Sequence, residues 1–145
     1  MLPDGLAGPG HDSPPGEHLV RAEEDLLAAR HAVRASAVAA GFSIVDQTKI
    51  VTAASELVRN AYIHGGGGTL TIEVVRGDTG RIGLRLRVRD EGPGIADVAR
   101  AMTDGFSTGA GLGHGLGGTR RLADEFRLDT EPGKGTTVTI VRWKP

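Results

Sequence analysis

The sequence predicts an α/β (α+β) two-layer sandwich: a mainly antiparallel, mixed sheet with helices on one face. Three observations predict it. Apolar residues recur at helical spacing as far as a glycine run at Gly65, and the period then drops to two. Two such alternating stretches each fold about a glycine turn, which marks hairpins. With 145 residues, 39% of them hydrophobic and 24% charged, the chain is expected to hold one domain with a real core.

Residues 1–16 carry Pro3, Pro9, Pro14 and Pro15 with Gly5, Gly8, Gly10 and Gly16, and almost nothing to bury. Such a composition cannot repay its ordering entropy, so a disordered tail is expected there and the folded domain over 17–145. From Glu17 to about Ala40 a helix is expected. Leu19, Leu26, Val33 and Ala40 repeat every seventh residue, with Ala22, Ala29 and Ser36 on the same stripe. Gly41 stops it. A second helix begins near Ile44, with Asp46 in its first turn, where a carboxylate suits the dipole. It buries Ile50, Ala54, Leu57 and Ala61 and ends in the run Gly65–Gly68.

The first hairpin pairs Leu70, Ile72 and Val74 with Ile82, Leu84, Leu86 and Val88 across the Gly77–Gly80 turn. Its other face carries Arg85, Arg87 and Arg89, either a solvated outer face or a docking surface. A turn over Asp90–Gly94 leads to a short helix suggested by Ile95, Val98 and Met102, then to a glycine-rich stretch from Gly105 to Gly118. A helix through Arg120 to Asp124 precedes the second hairpin. Phe126, Leu128 and Thr130 are followed there by the Pro132–Gly135 turn and by Val138, Ile140 and Arg142.

Charge and composition exclude several functions. The net charge of −1 supplies no uncancelled basic surface, so neither nucleic acid nor an anionic membrane is expected as partner. Without cysteine there is no disulfide framework, thiolate metal site or cysteine nucleophile. No apolar run approaches the ~20 residues of a membrane span, and the N-terminus lacks the basic-then-apolar order of a secretory signal. A cytoplasmic location is expected.

Three segments could carry chemistry. Glu56, Asn60 and His64, at i, i+4 and i+8, lie on nearly one line beside the core stripe of the second helix. Each alone reads as a boundary residue with a local hydrogen bond. Glu56 and Asn60 together also read as a base and a hard-cation ligand, since oxygen donors suit Mg²⁺. Asp90-Glu91-Gly92-Pro93-Gly94 reads by itself as a plain turn, though it would let a flat ligand approach the backbone.

The run Gly109-Ala110-Gly111-Leu112-Gly113-His114-Gly115-Leu116-Gly117-Gly118 is different. So many glycines cost entropy on ordering, and free N–H groups leading into a helix suit phosphates. Gly113, Gly115 and Gly118 fit G-x-G-x-x-G, but Asp104–Ala110 is no strand, so the dinucleotide reading fails. The Gly133-Lys134 pair is followed by Gly135, not Ser or Thr, so it is no P-loop. No H-E-x-x-H motif occurs.

Taken in order, Glu56-Leu57-Val58-Arg59-Asn60-Ala61, Asp90-Glu91-Gly92-Pro93-Gly94-Ile95, Gly111-Leu112-Gly113-His114-Gly115-Leu116 and Gly135-Thr136-Thr137-Val138 resemble the four boxes of the GHKL (Bergerat-fold) ATPase superfamily. The stretches Asp104–Gly113 and Arg120–Phe126 resemble the anti-sigma regulatory serine/threonine kinases of the RsbT type. As one small domain, the chain is expected to have neither the dimerisation helices of a histidine kinase nor the transducer domain of a topoisomerase.

The resemblance implies ATP and Mg²⁺ as cofactors. Asn60 would hold Mg²⁺ bridging the phosphates, and Glu56 would act as general base toward a protein hydroxyl. Asp90 would bond the adenine amino group, with Gly94 and Thr136 shaping the base pocket and Gly92 and Ile95 also binding ATP. Gly109, Gly111, Leu112, Gly113, His114, Gly115 and Leu116 would surround the phosphates. The implied substrate is an STAS-domain antagonist, and the implied second partner a PP2C-type phosphatase. Two other readings stay open: a direct anti-sigma factor that binds sigma, and a nucleotide-gated binding module with little catalysis. No Lys or Arg occurs from Thr103 through Thr119. The positive charge at the transferred phosphate is therefore left to Mg²⁺, to Arg120 or Arg121, or to the partner.

Overall fold

Residues 16–102 and 116–145 are described by the computed structural model. Five strands form one sheet: β1 (Gly16–Val20), β2 (Gly68–Arg76), β3 (Ile82–Asp90), β4 (Glu125–Glu131) and β5 (Gly135–Trp143). They lie in the order β1-β2-β3-β5-β4, and all four pairings among the described strands are antiparallel. Two long helices, α1 (Glu23–Ala39) and α2 (Ile44–Gly65), pack on one face. Two short ones, α3 (Val98–Ala101) and α4 (Leu116–Arg121), follow β3 and precede β4. The two-layer expectation holds.

Strand alternation decides which face is covered. Leu70 opposes Val88, and Val88 opposes Val138; one step along, Ile72, Leu86 and Ile140 form the next row. All six are buried against Leu57, Ala61 and Val33 of the helices. The intervening residues, Arg87, Arg89 and Arg127, face outward and are exposed. Arg85 on the same face is half-buried and pairs with Glu73 on β2 at 2.6 Å.

The first expected helix begins six residues late. Glu17–Val20, read as helix from the Leu19-Leu26-Val33-Ala40 repeat, belongs to β1, where His18 opposes Leu70. Leu19 is 56% exposed while Val20 is wholly buried, so the alternation of a strand, not the heptad, governs here. The α1 core stripe is Ala29, Val33 and Ala37. Its start is set by Asp25, whose carboxylate accepts the Arg21 and Ala22 N–H groups at 2.9 Å each. Of the expected tail only Gly16 is described, as the first residue of β1; 1–15 lie outside the described residues.

The helix expected through Arg120 to Asp124 also shifts, to Leu116–Arg121. Asp124 instead joins the sheet: its N–H donates to the Val141 carbonyl, and its carboxylate accepts the Trp143 N–H at 2.7 Å. At the far end of the sandwich, Arg142 of β5 forks. Nη2 donates to Asp46 Oδ1 at 2.7 Å and Nη1 to the Leu122 carbonyl at 3.0 Å. That bond holds the Asp46 carboxyl below the ordinary range, against the opposing effect of its burial.

Candidate functional site

Helix α2 supplies the polar line predicted from its spacing. Ser43 caps its start by accepting the Asp46 N–H, and the buried stripe Ile50, Ala54, Leu57 and Ala61 presses it on the sheet. That rotation leaves Glu56 and Asn60 half-buried at the margin. Asn60 and His64 both reach a recess between α2 and the ends of β3 and β5. Glu56 stands one turn before Asn60 and is not part of the recess wall.

Asp90, the last residue of β3, forms the polar end of the recess. Its Oδ1 accepts the Gly92 N–H at 2.9 Å. Burial raises the Asp90 pKa, opposed by the Gly92 and Thr136 N–H groups and by charge on His64. The remaining walls are apolar: Leu57, Val88, Ile95, Leu116 and Val138. Thr136 sits directly opposite Asp90 in the β3–β5 ladder.

Close backbone approaches build this end. Gly65 lies so near Asp90 that a Cβ there would overlap the carboxyl group. Gly94 takes φ +74°, and a Cβ on it would strike the Glu131 carbonyl. The turn is then pinned by a residue that sequence reasoning missed. Thr130 Oγ1 accepts the Ile95 N–H at 2.9 Å and donates to the Gly135 carbonyl at 3.2 Å, 2.9 Å from Thr136 Oγ1. Periodicity marks Thr130 only as a strand position, because its value comes from pairing with Thr136 across the β4–β5 turn.

The structure thus brings Asn60, Asp90, Gly94, Ile95, Leu116 and Thr136 to one recess, with Gly92 bonded behind Asp90. Sequence reasoning omitted Leu57, Ala61, Val88 and Val138 from its walls, having assigned them to the core. Gly109, Gly111, Leu112, Gly113, His114 and Gly115 lie outside the described residues.

The lining has the chemistry a purine calls for: a carboxylate acceptor at the end of an apolar slot complements an exocyclic amine in the plane of a flat ring. Among the described residues no group of three or more His, Cys, Asp or Glu is arranged to hold a metal. The carboxamide oxygen of Asn60 is a hard donor of the kind Mg²⁺ accepts beside phosphates and water.

Known proteins resemble this chain over most of its length. The family model described as histidine kinase-, DNA gyrase B-, and HSP90-like ATPase matches residues 45–145. Serine/threonine-protein kinase RsbT of Bacillus subtilis (strain 168) is 47% identical over 124 residues, 86% of this chain and 92% of that protein. The anti-sigma F factor of Thermoanaerobacter sp. (strain X514) is 33% identical over 120 residues, 79% of this chain and 82% of the relative. Among solved structures, the RsbU and RsbW domains of a Mycobacterium tuberculosis protein align with TM-score 0.63 at 23% identity. That alignment covers 92% of this chain and 34% of the other, and shows likeness of fold.

Proposed function

The chain belongs to the histidine kinase-, DNA gyrase B- and HSP90-like ATPase family and is a serine/threonine protein kinase of the RsbT kind; on that premise we propose how it acts and on what. It transfers the γ-phosphoryl group of ATP to a serine or threonine hydroxyl of an STAS-domain antagonist, in a bacterial partner-switching stress pathway. One observation carries the reading. Asn60, Asp90 and Thr136, from segments far apart in sequence, meet around one apolar-walled recess.

In this reading Asp90 accepts the adenine amino group, and Ile95, Val88 and Val138 exclude water from the ring's faces. Asn60 holds Mg²⁺, which supplies charge neutralisation at the phosphates when bound. Glu56 takes the proton of the acceptor hydroxyl. The hydroxyl oxygen bonds to the γ-phosphorus as the bond to the β–γ bridging oxygen breaks, and ADP leaves with that electron pair. The glycines from Gly109 to Gly115 wrap the phosphates.

The kinase works in the cytoplasm, and among the described residues no helix is long and apolar enough to cross a membrane. After release from the antagonist it engages a PP2C-type phosphatase, a role resting on the family resemblance alone. The similarity to the anti-sigma F factor supports a second reading, direct binding of a sigma factor, at lower identity.

The test is radiolabelled ATP offered to the chain alone, with STAS proteins encoded beside it, and with sigma factors. The expected result is negligible hydrolysis alone and label on a serine or threonine of one STAS protein. Tight ATP-dependent sigma binding would favour the second reading. Nucleotide binding without transfer to any partner would leave only a nucleotide-gated binding module.

A further inference from the structure

Arg142 is remote from the recess, yet it joins the two helices that flank it. Asp46, which takes one arm of its guanidinium, lies in the first turn of α2, the helix that carries Asn60. The Leu122 carbonyl, which takes the other arm, directly follows α4, whose Leu116 lines the recess. On its own strand, Arg142 lies six residues beyond Thr136, the partner of Asp90. Three walls of the recess are therefore tied to one side chain.

Helix α4 needs such a tie. It is six residues long and contains Gly117 and Gly118, so it has little intrinsic helical stability. Its buried residues are Leu116, Gly117 and Thr119, and among the described residues Thr119 Oγ1 has no hydrogen-bond partner. Beyond α4, Leu122 and Ala123 pack on the core and the Asp124 N–H donates to the Val141 carbonyl. Among the described residues the Leu122 carbonyl itself is held by the Arg142 fork.

The fork is also a costly way to gain stability alone. Its side chains are 19% and 12% exposed for Arg142 and Asp46, and among the described residues Arg142 Nε is buried without a hydrogen-bond partner. Replacing a buried ion pair with apolar residues is often neutral or stabilising. An arrangement that leaves one donor unsatisfied makes more sense as a device that fixes geometry.

We propose that Arg142 is a positioning residue: through its fork to Asp46 and the Leu122 carbonyl it sets α4 against α2 and so keeps the nucleotide recess in its binding geometry. This rests on the nucleotide-binding reading above. It touches no nucleotide itself.

The experiment replaces the pair by apolar residues, Asp46→Leu with Arg142→Met, alongside Arg142→Lys and the unaltered chain. Thermal melting and the affinity for a fluorescent ATP analogue with Mg²⁺ are measured on each at a temperature where all are folded. The expected result is a double variant that melts no lower than the unaltered chain yet binds the analogue at least about tenfold more weakly, since small misplacements of a preorganised site are expensive. Arg142→Lys keeps a charge for Asp46 but cannot bridge both partners, and it should show the same weakened binding. A stable double variant with unaltered affinity would overturn the proposal. Should the double variant not fold, the lysine variant decides: weakened binding in a folded protein supports the role, and unaltered affinity overturns it. Failure of the unaltered chain to bind the analogue would instead overturn the nucleotide reading itself, and this proposal with it.

Discussion

Gly65 and Asp90 share one space: the last residue of α2 gives up its Cβ to the carboxyl group at the end of β3. Gly65 thus sets how deep the carboxylate sits, while the left-handed Gly66 after it ends the helix. Gly92 closes the same contact from the other side, since a Cβ there would lie 2.5 Å from the Gly65 Cα.

Gly65→Ala should therefore act on the recess and leave α2 formed, because alanine suits a helix end that no positive φ constrains. Overpacking of this kind costs about 1–3 kcal/mol. The expected outcome is unchanged helical circular dichroism, a lower melting temperature, and loss of affinity for a fluorescent ATP analogue. Retained affinity would show that Asp90 need not sit where Gly65 allows it.

The raised pKa of Asp90 has two consequences of opposite sense. Its carboxyl protonates above the ~3.9 of an ordinary aspartate, so adenine binding through the carboxylate should weaken as pH falls through that raised value. For folding the sign reverses. A carboxyl raised in the folded state costs stability above its folded pKa, and that cost vanishes below the unfolded pKa. Asp90→Asn should thus melt at or above the unaltered chain at pH 7, with the gap closing in acid, while binding the analogue poorly at every pH. Melting curves and titrations across pH 3–7 test both at once.

Asp46 runs the other way. Its pKa is lowered, chiefly by the Arg142 hydrogen bond, so its stabilisation is present above the unfolded ~3.9 and is lost as pH falls through the folded value. Asp46→Asn should melt below the unaltered chain at pH 7 and match it in strong acid. A gap that persists in acid would mean the carboxylate's charge is not what Arg142 uses.

Glu56→Gln keeps the side chain's shape and removes the proton acceptor. Phosphotransfer to the STAS partner should fall by roughly 10²–10⁴ with nucleotide affinity little changed. Unaltered turnover would remove Glu56 from the chemistry and leave positioning and charge as the catalytic contributions.

Asn60→Ala should weaken nucleotide binding only where the metal contributes. Titrations with and without Mg²⁺ should converge in the variant and differ in the unaltered chain. Wild-type metal dependence in the variant would assign the cation to another group.

The two hairpins, the α2 core stripe and the Glu56-Asn60-His64 line were legible because each is a local pattern of period 2 or 3.6. The four boxes were legible because glycines and acidic residues mark where backbone and ligand must come close. Asp90 illustrates the limit: alone it read as part of a plain turn, and its burial exists only once Gly65 and Thr136 surround it.

By itself, then, the sequence determined α2, the two hairpins and the chemical types at the recess, while it placed the helix before β4 four residues late. Tertiary structure decided the rest, through partners distant in the chain. Leu19 and Val20 fit a heptad as well as a strand, and only pairing with Gly68–Ile72 chose the strand. Thr130 became a support for Ile95 across 35 positions, and Arg142 a partner of Asp46 across 96. Local periodicity reports which way side chains point along one element. It carries no information about which distant backbone or charge will stand opposite, and that is set when the layers close on a common core.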